Sequence, residues 1–159
     1  MKRIHRRLSF RKWGIRVINE TVDLYGFCGK NRNAEQGGRL TCWVQQTPAS
    51  VSPCRKRPAI LILPGGGYHH TSEREAEQVA LRFAAQGFAA FVLHYSCAPS
   101  VFPAALREAA MAMRYIREHA DRFEIDPGMV AALGFSAGGH LCGTLGTMFD
   151  SPEVADLGT

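Results

Sequence analysis

A serine lies at the centre of residues 134–138, which read Gly-Phe-Ser-Ala-Gly. A serine becomes a useful nucleophile when a sharp strand-to-helix turn lifts its hydroxyl out of a sheet, and flanking glycines let that turn close without side-chain clashes. Ser136 would then lie at a helix N-terminus, where the helix dipole favours developing negative charge. The amide of Ala137 points into the same space and can bind an oxyanion. The pattern predicts acyl transfer with Ser136 as the nucleophile.

The five-residue pattern is short, and a chance match in a chain of 159 residues is roughly a 5% event at average glycine and serine frequencies. Its context makes it more specific. The apolar residues 129–133 predict a strand that ends directly before it, and the small residues 137–147 predict a helix that starts within it. A strand-to-helix junction is the setting that the motif requires. A glycine-rich turn without chemistry is the alternative.

A second glycine cluster occupies residues 64–68, which read Pro-Gly-Gly-Gly-Tyr and follow the apolar run 59–63. Consecutive glycines expose backbone N–H groups and let the chain approach a ligand closely, which suits an oxyanion hole. A phosphate cradle is the rival interpretation, but the lysine and the Ser or Thr of a P-loop are missing. A plain tight turn is the other alternative. The two clusters together favour a hydrolase more strongly than either does alone.

Three apolar runs, residues 59–63, 88–93 and 129–133, predict strands buried on both faces of a sheet. A capping box formed by Ser72 and Glu75 predicts a helix that ends at Gly87. Pro103 suits the first position of a second helix. Alternating strands and helices predict an α/β fold with a mostly parallel sheet and helices on both faces. Ligands bind beyond the C-terminal ends of such strands, where both glycine clusters lie.

Weaker signals precede and interrupt this pattern. Residues 20–27 and 39–45 predict two early strands, and the proline-rich residues 47–58 predict an exposed loop. Residues 126–128, Asp-Pro-Gly, predict a turn before the third apolar run.

The formal charge of +5 is unevenly distributed, because residues 1–18 hold seven of the 19 Lys and Arg residues and no acid. The remaining 12 basic residues face 14 acidic ones. We therefore expect a basic N-terminal segment over residues 1–18, solvated or disordered, and one domain over residues 19–159. Nucleic-acid binding and a transit peptide are alternative interpretations of the basic segment. Because we prefer a solvated or disordered tail, we expect no nucleic-acid partner. No apolar run suits a secretory signal or a membrane span, so we expect no membrane partner either.

The five cysteines are odd in number and show no Cys-x-x-Cys spacing. This argues against a disulfide framework and against a zinc site. Reduced thiols in a cytoplasmic protein are the simplest interpretation. The predicted chemistry needs neither a metal nor another cofactor.

The stretch 57–150 resembles α/β-hydrolases of the acetyl-esterase type. The resemblance is carried by residues 64–68, 74–77 (Arg-Glu-Ala-Glu), 94–96 (His-Tyr-Ser), 98–99, 125–127 and 134–140. It implies the α/β-hydrolase fold, Ser136 as the nucleophile and the amides of Gly66, Gly67 and Ala137 as oxyanion donors. It implies a small-molecule carboxylic ester as substrate, with a short acyl group such as the acetyl esters of carbohydrates. Pro64 stands where many relatives have histidine, but the donors of the hole are backbone groups.

The rest of the catalytic triad is not evident in the sequence. In this fold the order along the chain is serine, acid and histidine, but no histidine follows His140. We therefore expect a partial domain, truncated after the nucleophile helix, that lacks the acid and the histidine. His69, His70 and His140 are weak candidates for a local base.

Truncation after the nucleophile helix would leave the strand at 129–133 with an exposed edge, open to pairing. An inactive fragment, a module that binds acyl ligands or a partner, and a peptidase of the same fold are the alternatives to an esterase.

Overall fold

The computed structural model describes residues 16–33, 36–47 and 56–157. Most of the predicted basic segment and of the predicted loop at 47–58 lies outside these ranges. Residues 16–18 begin the first strand, while the proposed boundary between residues 18 and 19 stays a prediction.

The described residues form a five-stranded mixed sheet in the order β1-β2-β4-β3-β5. The strands are β1 (Arg16–Asp23), β2 (Arg39–Gln46), β3 (Arg57–Leu63), β4 (Ala89–His94) and β5 (Ile125–Gly134). The central strand β3 pairs in parallel with β4 and β5, whereas β2 pairs antiparallel with β1 and β4. Because β3, β4 and β5 run in the same direction, their C-terminal ends meet at one edge of the sheet.

Helices cover both faces of this sheet, as the sequence predicts. They are α1 (Leu24–Phe27), α2 (Glu77–Ala85), α3 (Ala104–Glu118), α4 (Ala120–Phe123) and α5 (Ala137–Thr147). Alternation along β3 serves both layers, since Ile60 and Ile62 face the cluster under α2 while Leu61 and Leu63 join the larger core. None of the helices in the described part is long and apolar enough to cross a membrane.

The first predicted strand, at residues 20–27, is wrong in its second half. Strand β1 ends at Asp23, and the chain then turns into α1. The Asp23 carboxylate caps this helix by accepting hydrogen bonds from the amides of Tyr25 and Gly26. Leu24 is fully buried and enters the core from this helical turn.

The predicted capping box is also wrong. Ser72 makes no side-chain cap, residues Glu73–Glu75 form a 3₁₀ turn, and α2 begins only at Glu77. The two groups that the box would use are both bound to Gly65: the Gly65 amide donates to Glu75 Oε2 at 2.8 Å, and the Ser72 amide donates to the Gly65 carbonyl at 2.9 Å. The Ser72 amide and the Glu75 carboxylate therefore bind Gly65, which precedes them in the chain, and not each other.

Strand β5 differs from its prediction in two respects. The predicted turn at 126–128 lies inside the strand, as an irregularity in its pairing with β3. There the Asp126 carboxylate accepts a hydrogen bond from the Gly128 amide at 2.9 Å. The strand is not buried on both faces, since 53% of the Met129 surface is exposed. In the described residues β5 pairs only with β3, and it therefore forms an edge of the sheet.

Helix α5 has the predicted bounds, and its small residues let it approach the sheet closely. A Cβ at Gly138 would overlap the carbonyl oxygen of Leu63 and would lie 2.6 Å from that of Pro64. A Cβ at Gly143, one and a half turns further along, would meet open space. The start of α5 is therefore held against the end of β3 without an intervening side chain.

We expect Gly138→Ala to lower the free energy of unfolding by roughly 3 kcal/mol, the upper end of the usual cost of overpacking, because the rigid backbone of β3 must move. Gly143→Ala should leave it unchanged or raise it by up to about 1 kcal/mol, since alanine is the better helix former. Urea unfolding of both variants beside the parent chain measures the difference. Equal effects of the two substitutions would contradict the close contact.

Candidate active site

Ser136 occupies the turn between β5 and α5. Its φ of 49° and ψ of −116° are rare for a residue with a side chain and indicate a strained backbone. The turn is fixed on both sides, because the Phe135 amide donates to the Leu63 carbonyl at 3.1 Å and the Gly138 amide donates to the Phe135 carbonyl at 2.7 Å. The Ser136 side chain is exposed. A strained, exposed serine at this junction is what the sequence motif predicts.

The glycine cluster that follows β3 lies directly beside this turn. A Cβ on Gly65 would lie 3.2 Å from the Ser136 Cβ and 2.9 Å from the Phe135 carbonyl oxygen. Such distances leave no room for a side chain at position 65. The structure thus brings the two glycine clusters together, although 65 residues separate them in the sequence.

Four of the five carbonyl groups in residues 64–68 accept hydrogen bonds. Their donors are the Tyr95 hydroxyl to Pro64 at 2.5 Å, the Ser72 amide to Gly65 at 2.9 Å, the His69 amide to Gly66 at 3.0 Å and the Ala98 amide to Tyr68 at 2.7 Å. The amides of Gly66 and Gly67 find no acceptor within the described part of the chain. Because a trans peptide points its N–H opposite to its C=O, holding the carbonyls fixes where these amides point.

Positive φ angles shape the same loop. Gly66 and Gly67 have φ of 130° and 63°, which only glycine adopts at no steric cost. On the other side of Ser136, the amide of Ala137 belongs to the first turn of α5, where N–H groups have no partner inside the helix. Within the described residues three N–H groups therefore have no acceptor: that of Ala137, directly after the serine, and those of Gly66 and Gly67, in the loop that follows Gly65.

His140 binds to the glycine loop. Its Nδ1 lies 2.9 Å from the Tyr68 hydroxyl, and the Tyr68 ring packs edge-on against His140 and Tyr95. Burial raises the pKa of Tyr68 above its ordinary value, so the hydroxyl stays protonated at neutral pH. His69 and His70 are exposed after the loop. Among the described residues, no side chain hydrogen-bonds to the Ser136 hydroxyl.

The other polar groups near this edge of the sheet are engaged elsewhere. The two ring nitrogens of His94 lie 3.3 Å from Thr71 Oγ1 and 3.2 Å from Glu77 Oε1, so His94 ties the exit of the loop to α2. Asp156, an acid that follows Ser136 in the chain, is bound by Arg107 and Lys30, whose hydrogen bonds hold the pKa of Asp156 far below its usual range. Neither group is paired as a serine, histidine and acid triad would require.

Sequence reasoning missed a buried carboxyl group behind the site. Glu108 of α3 is fully buried and accepts hydrogen bonds from the Tyr25 hydroxyl at 2.9 Å, from the Ser96 amide at 2.5 Å and from the Ser96 hydroxyl. Burial raises the pKa of Glu108, although these donors oppose the rise. Ser96 follows Tyr95, so this cluster fixes the chain at the residue that holds the Pro64 carbonyl. The only signal in the sequence was one acid among the apolar positions of a helix.

Comparison with known proteins places the matched region over most of the described chain. The model of the family BD-FAE matches residues 48–156. Endo-1,4-β-xylanase B of Butyrivibrio fibrisolvens is 37% identical over 111 residues, which cover 64% of this chain and 18% of the xylanase. An acetylxylan esterase of Xylanibacter ruminicola is 29% identical over 119 residues, which cover 74% of this chain and 23% of the esterase.

A solved structure agrees with these matches. MGS-M1, an α/β-hydrolase enzyme from a Medee basin deep-sea metagenome library, superposes with a TM-score of 0.72 at 42% identity, over 81% of this chain and 50% of that one. The α/β-hydrolase fold predicted from the sequence is thereby confirmed. The chain spans half or less of the length of each of these three proteins.

The raised pKa of Glu108 predicts a particular pH dependence of stability. The folded state binds this proton more tightly than the unfolded state does, so stability is greatest below the ordinary glutamate pKa of 4.5 and falls as pH rises through the raised value. Glu108→Gln should remove that fall, because glutamine does not titrate. Urea unfolding at a series of pH values above 4.5 measures both slopes, with the exposed Glu73→Gln as control. Parallel slopes for the parent chain and Glu108→Gln would contradict the assignment.

Proposed function

The chain belongs to the BD-FAE family of α/β-hydrolases, and on that premise we propose that it carries the nucleophile and the oxyanion hole of a serine esterase. The observation that supports this most directly is the strained, exposed Ser136 beside a glycine loop: the N–H of Ala137 next to it and those of Gly66 and Gly67 in the loop have no acceptor among the described residues. Such donors, fixed before the substrate arrives, stabilise charge that develops only in the transition state. The reaction is the hydrolysis of a carboxylic ester.

The proposed reaction has two steps. Ser136 Oγ attacks the carbonyl carbon of the ester and passes its proton to a general base, which later gives it to the leaving alcohol, while the carbonyl oxygen gains a negative charge that the amides of Gly66, Gly67 and Ala137 bind. Collapse of this intermediate expels the alcohol, which takes up a proton, and leaves an acyl group on Ser136. Water then attacks the acyl carbon through the same kind of intermediate and releases the carboxylic acid.

The general base and its acid partner lie, in this proposal, outside the described residues. Both ring nitrogens of His94 are bound, to Thr71 and Glu77, and His140, held through Nδ1 by Tyr68, makes no hydrogen bond to the Ser136 hydroxyl, so neither is placed as the base in this arrangement. A serine without a base is a weak nucleophile at neutral pH. In serine hydrolases that have lost triad members, the oxyanion hole and substrate binding still leave roughly 10³- to 10⁴-fold catalysis over water.

We propose short acyl esters of carbohydrates, acetyl esters above all, as the substrate class. One relative is named an acetylxylan esterase and another a xylanase, and their matches cover 74% and 64% of this chain. We also propose that the protein is cytoplasmic, where cysteines stay reduced. The cysteines at 28, 42, 97 and 142 are all free thiols, which agrees with this proposal.

Labelling with a fluorophosphonate tests the nucleophile. We expect slow labelling that reaches one phosphonyl group per chain, on Ser136, because no base among the described residues activates this hydroxyl, but the strained turn exposes it and the three amides bind the phosphonyl oxygen. Peptide mapping by mass spectrometry locates the label. Ser136→Ala should abolish it, whereas Ser100→Ala, a serine on the loop after β4, should not.

Hydrolysis of p-nitrophenyl acetate tests the assignment of the base. We expect the parent chain to hydrolyse the ester faster than Ser136→Ala does, but by a much smaller factor than a complete triad would give. Turnover at many per second would show that a base is present among these residues and would contradict its assignment elsewhere. Equal labelling of the parent chain and Ser136→Ala would contradict the esterase proposal itself.

A further inference from the structure

One glycine lies close to both an acidic side chain and the nucleophile. A Cβ at Gly65 would lie 2.7 Å from Glu75 Oε2 and 3.2 Å from the Ser136 Cβ. Glu75 makes no hydrogen bond to Ser136 in the described structure; it accepts one from the Gly65 amide at 2.8 Å. The carboxylate therefore acts on the loop at the residue directly before the two amides assigned to the oxyanion hole.

Both polar groups of the first peptide in the loop are bound. This peptide joins Pro64 to Gly65: its carbonyl accepts from the Tyr95 hydroxyl and its N–H donates to Glu75. In the following peptide only the carbonyl is bound, by the Ser72 amide, and the N–H of Gly66 is left unpaired. The chain thus changes at Gly65 from a fully bonded peptide to one whose N–H is available to a ligand.

Glu75 is itself held in place. Its amide donates to the Ser72 carbonyl at 3.1 Å, and the next residue, Ala76, is fully buried against the cluster under α2. The Ser72 amide binds the Gly65 carbonyl, and the Glu75 carboxylate binds the Gly65 amide. Because Ser72 directly precedes and Glu75 ends the short 3₁₀ turn before α2, the start of α2 fixes the position of the loop.

We propose that Glu75 is a positioning residue for the oxyanion hole. By accepting the Gly65 amide, its carboxylate fixes the plane of the first peptide, so that the next two amides, those of Gly66 and Gly67, face the reacting carbonyl. Without an acceptor at position 75, the Gly65 amide has no partner in the described structure, and this peptide can rotate to find another. The two donors after it then lose their common direction. This inference rests on the proposed function, since it assumes that these amides bind an oxyanion.

The hydrogen bond and the negative charge of Glu75 make separable contributions. A negative charge close to Ser136 opposes the developing oxyanion, whereas the bond to Gly65 aligns the donors that bind it. Glu75→Gln keeps an acceptor oxygen and removes the charge, while Glu75→Ala removes both. If alignment is the role of Glu75, the glutamine variant should resemble the parent chain and the alanine variant should not.

The rate of Ser136 phosphonylation, at saturating and subsaturating fluorophosphonate, tests this role. We expect Glu75→Ala to lower the maximal rate about 100-fold, the usual cost of losing one oxyanion donor, with little change in the concentration for half-maximal rate. Glu75→Gln should stay within about threefold of the parent chain, and Glu73→Ala, an exposed acid of the same 3₁₀ turn, should change nothing. A rate for Glu75→Ala equal to that of the parent chain would overturn the proposal.

Hydrogen exchange of the Gly65 amide, measured by NMR, tests the same role of Glu75 and does not depend on a reaction at Ser136. We expect protection in the parent chain and in Glu75→Gln, and its loss in Glu75→Ala while the strand amides of β3 stay protected. Persistent Gly65 protection in Glu75→Ala would overturn the proposal. If Ser136 fails to react even in the parent chain, the esterase proposal fails, and the exchange result still decides whether Glu75 holds the loop.

Discussion

The contact between the end of β3 and the start of α5 is the constraint on which the site depends. Gly138 lies against the carbonyls of Leu63 and Pro64, and the Phe135 amide donates to the first of these. No side chain fits between the two segments, so the backbone of one positions the backbone of the other. Ser136 lies between Phe135 and Gly138, and it is therefore carried to within a few ångströms of the residues that follow β3. Strain at Ser136 persists because both flanks of the turn are over-determined in this way.

The glycine loop is also positioned by contacts to its backbone, in this case by hydrogen bonds to its carbonyl groups. Its carbonyls are bound one after another by Tyr95, Ser72, His69 and Ala98, which come from the neighbouring strand end and from the segment before α2. Since each bound carbonyl directs the following amide the other way, a set of contacts outside the site decides what the site presents to a substrate. The buried carboxyl of Glu108, through Ser96, fixes the chain beside Tyr95. Donor geometry at the surface therefore depends on polar groups in the core, where a missing partner is costly.

The sequence predicted the parts of this arrangement that local patterns determine. The apolar runs gave β3 and β4, the small residues gave α5 with its bounds, and the glycine clusters gave the two motifs that the structure brings together. The failures share one physical cause, which is that a distant partner outweighs a local preference. Glu75 and Ser72 fit a capping box by spacing, yet both bind Gly65. The burial of β5 depends on which strands lie beside it, and an apolar run carries no record of its neighbours. Tyr95 and Glu108 could not be assigned because their partners lie far away in the sequence.

In a serine hydrolase, the nucleophile with its oxyanion hole and the general base depend on different parts of the fold. In our proposal the nucleophile is the Ser136 hydroxyl and the oxyanion donors are backbone amides that follow β3 or begin α5, so both lie within the described residues. A general base is a side chain that must reach Ser136 from elsewhere, and its partner acid must orient it in turn. Acceleration by the hole is therefore separable from acceleration by the base, at about 4 to 5.5 kcal/mol for the 10³- to 10⁴-fold that survives loss of a triad. On this view the polar contacts at Gly65 and Pro64 contribute to the first of these terms alone, and a substitution at Glu75 or Tyr95 should lower the rate by the same factor whether or not a base is present.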